Sequence, residues 1–531
     1  MWNAVKVHVQ DYCSSTSIHG LQYIGAPNRP LLERLWWLIV TCLSFAAIVM
    51  LIKEAWVNWQ TTPVIVSFEE SMRPIWEFPF PAVTVCPVTK FRASLHDYQE
   101  MIRRKKAGNL SEMELQLLDD RSQLCPRHYE AGKNNFTATL VDTIEKLAPT
   151  LVQTINYALY NNDPKWGRKG YFQPLMTDDG LCFSFNMLPA SALFTNNTFH
   201  ASRSYLDYDM PPDKWTPDGG YTDLEDFKSG YPYRGIGAGP MPGLQVGLSA
   251  NATDMDYDCK ELYQGFTMHL HSPAEFPRMK EQYQLIPLQK NVLLTVKPNL
   301  MTTSPTLEKY QPQYRQCYFA NERKLRFFKV YTQQNCAQEC EANYTVQECG
   351  CAEFFMPRAL DTPVCGPKRA ECLYFAKRSL LRASIVKGLR SANSAPMCSC
   401  LQSCNHIQYS TERSETGVED HEEKTFKYSI VNIFFKDTQF TASRRSELYG
   451  TAEFLANCGG LLGLGLGFSV LSLAEIFYWV FLRAFCSKPQ VVNPDVQPPS
   501  EAIHNTVQRK PKIYSFSTPH SMMKNNGNNG S

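Results

Sequence analysis

The sequence lacks the signatures of a soluble enzyme and of a nucleic-acid-binding protein. No nucleophile stands at a recognisable spacing from a base, and no glycine-rich phosphate-binding loop is present. The net charge is only +2, and the basic residues are not gathered on one segment. Residues 1–25 contain no apolar core of a cleavable signal peptide. We therefore expect a protein that is not an enzyme, holds no cofactor or metal and binds no nucleic acid.

Long apolar runs are present twice. The first, LWWLIVTCLSFAAIVMLI at 35–52, carries no charge and is near the minimum length for a membrane helix, because about 20 residues span a bilayer core. The second, at 454–482, contains Glu475 as its one charged residue. A buried globular helix would explain one such run. Two runs on either side of a cysteine-rich segment favour two transmembrane helices.

The cysteines and the glycosylation signals set the expected orientation. Fourteen of the 18 cysteines lie between Cys86 and Cys404, a density that is typical of an oxidising compartment. Five N-x-S/T sequons share this stretch, at Asn109, Asn135, Asn196, Asn251 and Asn343. We therefore predict a multi-pass plasma-membrane protein with both termini in the cytoplasm. Its predicted segments are a cytoplasmic N-terminus (1–34), transmembrane helix 1 (35–53), an extracellular cysteine-rich domain (54–453), transmembrane helix 2 (454–482) and a cytoplasmic tail (483–531).

Ten cysteines are concentrated in residues 317–404, with C-x3-C and C-x-C spacings. Such spacings also occur in zinc sites. Outside the cell, disulfides are the better interpretation, and closely spaced cysteines at both ends of one segment suggest nested bridges. The nearby His269-x-His271 alternates as on a strand. We interpret it as a solvated strand face rather than a metal site.

The second apolar run carries the residues that point to ion transport. Gly459, Gly463 and Gly467 repeat every four residues, a pattern that fits close helix packing. The same glycines fit a break in the helix where backbone carbonyls face a water-filled axis. Glu475 follows the glycines, and a carboxylate in a membrane span faces either a pore or a partner helix. Two helices cannot enclose a pore, so assembly with other subunits is expected.

These features, in this order, resemble the epithelial sodium channel/degenerin family, and within it the insect pickpocket subunits. The matching motifs are SIHG at 17–20, FPAVTVC at 80–86, the cysteine run at 317–404, VNIFF at 431–435 and GLGLGFSVLSLAE at 463–475. The competing interpretations are a trimeric ATP-gated cation channel, which lacks the FPAVTVC motif, and a non-conducting surface receptor, which gains nothing from the glycines and Glu475.

The resemblance implies an α+β membrane protein, with a β-sheet palm and a helical thumb, that assembles as a homotrimer or as a heterotrimer with related subunits. It implies an amiloride-sensitive, sodium-permeable channel in the lipid bilayer, gated through its extracellular domain, in sensory or epithelial cells. The residues that it assigns are the selectivity filter Gly467, Phe468 and Ser469, the pore and gate residues Ala456, Asn457 and Glu475, and the gating motif His19 and Gly20.

The resemblance also implies how the cysteines pair. The expected bridges are Cys86–Cys182, Cys317–Cys404, Cys336–Cys400, Cys340–Cys398, Cys349–Cys372 and Cys351–Cys365, with Cys125–Cys259 paired because these two remain. Two family features are missing. The tail has no Pro-Pro-x-Tyr, and Asn457 and Cys458 differ from the acidic and apolar residues of acid-sensing relatives. Acid gating is therefore not assigned.

Overall fold

The computed structural model describes residues 2–26, 29–61, 64–125, 132–163, 172–206, 215–222, 231–260, 263–389, 398–418, 425–448 and 450–483. The tail predicted after Arg483 lies outside these residues. The chain divides into two compact units, Met1–Phe45 with Leu462–Ser531, and Ala46–Leu461. Each unit is described separately below.

The α-helices are α1 (Trp2–Ser15), α2 (Leu21–Gly25), α3 (Leu31–Thr61), α4 (Tyr98–Lys106), α5 (Glu112–Leu124), α6 (Leu140–Leu147), α7 (Leu151–Thr154), α8 (Ala190–Leu193), α9 (Pro312–Arg315), α10 (Gln333–Cys349), α11 (Ala370–Leu389), α12 (Thr451–Leu466) and α13 (Val470–Phe477). A π-helical turn at Tyr478–Leu482 continues α13. Several caps follow from the local sequence. Ser111, for example, precedes α5 and forms a capping box with Glu114.

The strands are β1 (Val64–Pro74), β2 (Ala82–Pro87), β3 (Phe136–Thr137), β4 (Ile155–Tyr160), β5 (Phe172–Thr177), β6 (Gly180–Phe185), β7 (Trp215–Thr216), β8 (Gly220–Tyr221), β9 (Leu244–Asn251), β10 (Gly265–His271), β11 (Gln284–Pro287), β12 (Lys290–Thr303), β13 (Cys317–Tyr318), β14 (Val364–Cys365), β15 (Gln402–Ser403), β16 (His406–Gly417), β17 (Phe426–Phe435) and β18 (Gln439–Glu447).

Two sheets form the frame of the larger unit. A seven-stranded mixed sheet has the order β1-β18-β12-β17-β9-β4, with β16 paired to β12, and a five-stranded antiparallel sheet has the order β11-β10-β2-β6-β5. Alternate residues of β12 are buried, as period-2 geometry requires of a strand with one covered face. One apolar cluster contains residues of both sheets, including Val85, Phe185, Val246 and Ile433.

One helix, α3, is long and apolar enough by itself to cross a membrane among the described residues. It begins directly after Pro30 and continues to Thr61, so it extends beyond the predicted span 35–53 at both ends. The second predicted span is divided. Residues Thr451–Leu466 and Val470–Leu482 pass the same test together, with a bend of 72° at the break between them.

Seven disulfides join the same cysteines that the family resemblance implies. Their ladder follows from local geometry. Cys336 and Cys340 are four residues apart on α10, so they share one helix face about 6 Å apart along the axis. Cys398 and Cys400 are two residues apart, which gives a similar rise where a chain is extended. Two bridges at matching heights can therefore form, Cys336–Cys400 and Cys340–Cys398.

We expect the double variant Cys340→Ser/Cys398→Ser to lose about 2 kcal/mol of unfolding free energy, the lower end of the usual range for a disulfide, because Cys336–Cys400 remains and already joins the same two segments. Thermal unfolding of the full-length protein, together with non-reducing peptide mapping, measures this effect. Cys42→Ser is the matched control, since Cys42 forms no disulfide in the structure. Free thiols or bound zinc at Cys340 and Cys398 in the wild type would contradict the ladder.

Candidate ion pathway

The break in the second apolar run consists of Gly467, Phe468 and Ser469. Helix α12 ends at Leu466, and Gly467 takes the left-handed conformation at φ 67°, which a glycine adopts without strain. Ser469 then caps the start of α13, and its hydroxyl accepts a hydrogen bond from the Ser472 N–H. The sequence therefore contains both a helix stop and a helix start, separated by one aromatic residue.

The His19-Gly20 pair lies against this break, within the smaller unit. The His19 N–H donates to the carbonyl of Leu466 at 2.8 Å, which satisfies a backbone oxygen at the end of α12. The His19 ring lies directly over Gly467, where an added Cβ would come within 2.7 Å of the ring. Gly20 has φ 88°, and a Cβ there would lie 2.3 Å from the Thr41 hydroxyl of α3. The predicted gating motif thus packs tightly against the predicted filter.

Glu475 is held by the same N-terminal segment. Its Oε2 accepts hydrogen bonds from the Ser17 hydroxyl at 3.0 Å and from the Ser17 N–H at 3.3 Å. The Ser17 hydroxyl also lies 2.9 Å from the hydroxyl of the fully buried Ser472. Ser472 and Glu475 are three residues apart, so they share one face of α13. Sequence reasoning assigned no role to Ser17 or Ser472, and no spacing in the sequence links Ser17 to Glu475.

Helix α1 is attached to the end of the second apolar run. Arg483 forms an ion pair with Asp11 at 3.0 Å and stacks over the Trp479 ring at 3.5 Å. Tyr12 meets the same Trp479 ring edge-on at 5.8 Å. The N-terminal part of the chain therefore contacts the second apolar run at two places, through α1 at the end of the run and through residues 17–20 at the break.

Ala456 and Asn457 lie on α12 in the larger unit, and both are exposed in the single chain. The start of α12 packs against the end of α3 through aromatic rings. Trp59 stacks on Phe454 at a centroid distance of 4.6 Å, and Trp56 meets Phe454 edge-on at 5.6 Å. Such ring pairs contribute about 0.5–1.5 kcal/mol beyond the burial of their area. The contact places the predicted gate residues next to an anchored helix end.

The sequons differ in exposure. Asn109, Asn135, Asn196 and Asn343 are exposed, whereas Asn251 is half-buried and its side chain accepts a hydrogen bond from the Thr253 N–H. All five remain predicted glycosylation sites.

The interpretation of His269 and His271 as a solvated strand face is wrong. Their side chains are only 7 % and 3 % exposed. All seven residues of β10 are buried, so other parts of the fold cover both faces of this strand. Burial lowers the pKa of His269 to about 4 and that of His271 to about 3, so both rings are neutral at physiological pH. Among the described residues, no group of three or more His, Cys, Asp or Glu side chains could hold a metal ion.

The fold combines a disulfide-rich mixed-sheet domain with an apolar N-terminal helix. It also contains a second apolar helix that is broken at a glycine and carries a carboxylate. These features are consistent with a membrane channel subunit. The family model described as "Amiloride-sensitive sodium channel" matches residues 12–479. The chain belongs to this family, whose members are ion channels, and it is a cation channel subunit that is similar to the insect pickpocket proteins.

Individual relatives cover most of the chain. Pickpocket protein 28 of Drosophila melanogaster is 28% identical over 91% of this chain and 80% of its own length. Sodium channel protein Nach of Drosophila melanogaster is 23% identical over 89% of this chain and 87% of its own length. Human acid-sensing ion channel 2 is 21% identical, with coverages of 89% and 86%.

Proposed function

We propose that this chain is a pore-forming subunit of an amiloride-sensitive, sodium-permeable trimer in the plasma membrane of sensory or epithelial cells. Both apolar runs cross the bilayer, both termini are cytoplasmic, and residues 54–453 are extracellular and glycosylated. Three copies, or one or two copies with related subunits, place three α12–α13 segments around one axis. The extracellular domain gates this pathway.

The helix break at 467–469 is the observation that supports the proposal most directly. Non-helical backbone is tolerated at membrane depth only where it is buried in protein or lines a water-filled cavity. Within the described part of the chain, no hydrogen bond is accepted by the carbonyls of Gly467 and Phe468. Free carbonyls are the groups that replace the hydration shell of an ion in a filter. In a trimer the break would supply a ring of such oxygens.

The position of Glu475 supports a cation pathway on the cytoplasmic side of this ring. Its Oε2 is bound by Ser17, and the residue is half-buried in the single chain. A carboxylate in a membrane span is costly unless it faces a partner or water. Here the partner is Ser17, in the N-terminal segment that also contacts the proposed filter through His19. In a trimer, a ring of three Glu475 carboxylates would therefore lie on the cytoplasmic side of the filter ring, along the same ion pathway.

Expression in oocytes, alone and with sister subunits, tests the proposal. We expect an amiloride-sensitive sodium current in at least one combination, together with a changed sodium/potassium permeability ratio when Ser469 is replaced by Cys. Surface biotinylation confirms that the subunit reaches the membrane in each case. A subunit that reaches the surface with every partner while Ser469→Cys changes neither current nor reversal potential would not be pore-forming.

We expect Ser17→Ala to lower the sodium/potassium permeability ratio several-fold while surface expression is kept. The variant removes the hydroxyl that bonds both Glu475 and Ser472, and a hydrogen bond to a charged group contributes about 1.5–3 kcal/mol. Ser15→Ala is the matched control, because the exposed Ser15 hydroxyl bonds only backbone carbonyls of α1. Equal reversal potentials for the two variants would show that Ser17 does not position Glu475.

A further inference from the structure

A polar cavity of about 390 Å³ lies in the larger unit, where three parts of the fold meet. One wall is the end of β10 with the loop that follows it, the second is the start of α10, and the third is the start of β16. These elements belong to the five-stranded sheet, the disulfide-linked helices and the seven-stranded sheet. Six side-chain amides contribute to the lining, namely those of Gln282, Gln333, Gln334, Gln402, Asn405 and Gln408.

The charges around this cavity do not balance. Glu275, Arg278 and Glu281 all line it. The Arg278 guanidinium is shared by two carboxylates, since its Nη2 lies 2.5 Å from Glu281 Oε1 and 2.5 Å from Glu341 Oε2. No described lysine or arginine pairs with Glu275. The half-buried Glu275 carboxylate therefore faces the cavity without a cation of its own.

The histidines of the cavity do not supply the missing positive charge. Burial lowers the pKa of His269 to about 4 and that of His271 to about 3, and it lowers the pKa of His406 as well. Burial raises the pKa of the Glu275 carboxyl to about 7. A carboxyl that loses its water without gaining a counter-ion responds in this way. A bound cation would restore the interaction that the fold does not provide.

We propose that this cavity is an extracellular binding site for a small organic cation, an amine or amidine, with Glu275 as its counter-ion. A transition-metal ion does not fit, because no group of three or more His, Cys, Asp or Glu ligands occurs among the described residues. The volume lies within the range of small-molecule sites, about 300–1,000 Å³. The surrounding amides provide hydrogen-bond acceptors for the N–H groups of such a ligand.

A ligand bound in this cavity should also stabilise the present arrangement of the three walls. A cation that contacts Glu275 together with the starts of α10 and β16 binds only when these elements keep their present arrangement. The ligand therefore shifts the conformational equilibrium toward this arrangement, by the difference between its affinities for this arrangement and for the others. The site depends on the geometry of the larger unit alone and does not depend on ion conduction.

Benzamidine and benzamide test the proposal, because they have nearly the same shape and differ in charge. We measure their binding by isothermal titration to the full-length protein in lipid nanodiscs. Benzamidine is expected to bind at least about tenfold more tightly than benzamide. Glu275→Gln should weaken benzamidine by at least about tenfold and leave benzamide unchanged. Glu348→Gln, the same change at an exposed residue of α10, is the matched control and should bind like the wild type.

The pH dependence gives a second readout. Since the Glu275 pKa lies at about 7, benzamidine should bind about tenfold more tightly at pH 8 than at pH 6. Benzamide should show no such change, and the dependence should disappear in Glu275→Gln. The other titratable or charged groups that face the cavity are His269, His271, Arg278, Glu281, His406 and Tyr409.

The proposal is overturned if benzamidine does not bind the wild type at millimolar concentration. It is also overturned if benzamidine and benzamide bind equally, or if Glu275→Gln and Glu348→Gln have the same benzamidine affinity. Thermal unfolding of Glu275→Gln in the absence of ligand shows whether a loss of binding reflects a loss of fold.

Discussion

Replacing Gly467 by alanine is expected to abolish the sodium current. The residue has φ 67°, and a Cβ there would lie 2.7–2.9 Å from three atoms of the His19 ring. A left-handed conformation costs a non-glycine residue about 1–2 kcal/mol, and the ring contact adds a clash that only a movement of His19 or of the break can relieve. Either movement separates the His19 N–H from the Leu466 carbonyl and changes the positions of the carbonyl oxygens of the proposed filter.

The effect of Gly467→Ala is best compared with that of Gly459→Ala. Gly459 lies within the regular helix α12, and an added Cβ would meet nothing within 4 Å in the single chain. We expect Gly459→Ala to conduct and Gly467→Ala to be silent at equal surface level. Whole-cell recording with surface biotinylation measures both variants. A sodium current and reversal potential like the wild type in Gly467→Ala would place the filter elsewhere.

Much of the fold could be predicted because its signals are local. The spacing of Cys336 and Cys340 matches one face of a helix, and the spacing of Cys398 and Cys400 matches an extended chain. The apolar run at 35–52 predicts a long helix by its length and composition. The ends of α3 could not be predicted from apolarity, because a helix stops at a backbone signal rather than at the bilayer edge. Pro30 provides such a signal at its start.

The candidate site could be predicted only in part. Gly467 and Ser469 indicate a break by their residue types, since one favours a helix end and the other a helix start. The bond between Ser17 and Glu475 joins residues 458 positions apart, and periodicity carries no information at that range. The burial of His269 and His271 could not be predicted for a related reason. Alternation along a strand does not reveal whether other parts of the fold pack on both of its faces.

Replacing Ala456 by phenylalanine is expected to produce a standing, amiloride-sensitive sodium current. Ala456 is exposed on α12 in the single chain, two residues beyond the anchored Phe454. In the proposed trimer, three copies of α12 converge there, and a small side chain lets them close together. A larger side chain would clash at each of the three sites, and overpacking typically costs about 1–3 kcal/mol per site.

The strain at Ala456 acts on the closed state, where the helices are closest, so the equilibrium moves toward the open state. About 5.5 kcal/mol converts a two-state equilibrium from 1:99 to 99:1. Three strained sites reach that magnitude, whereas Ala456→Val, with a smaller side chain, should give an intermediate resting current. Cells that express the phenylalanine variant should also swell, because sodium entry carries water with it.

Leu455→Phe is the matched control for Ala456→Phe. It introduces the same side chain one position earlier, about 100° around the helix, at a residue that is 68% exposed in the single chain. If Ala456 faces the axis, Leu455 is turned about 100° from it and does not point into the pathway, so its phenylalanine variant should keep the resting current of the wild type. Whole-cell recording at matched surface level distinguishes the two. A resting current like that of the wild type in Ala456→Phe would place Ala456 toward lipid and remove it from the gate.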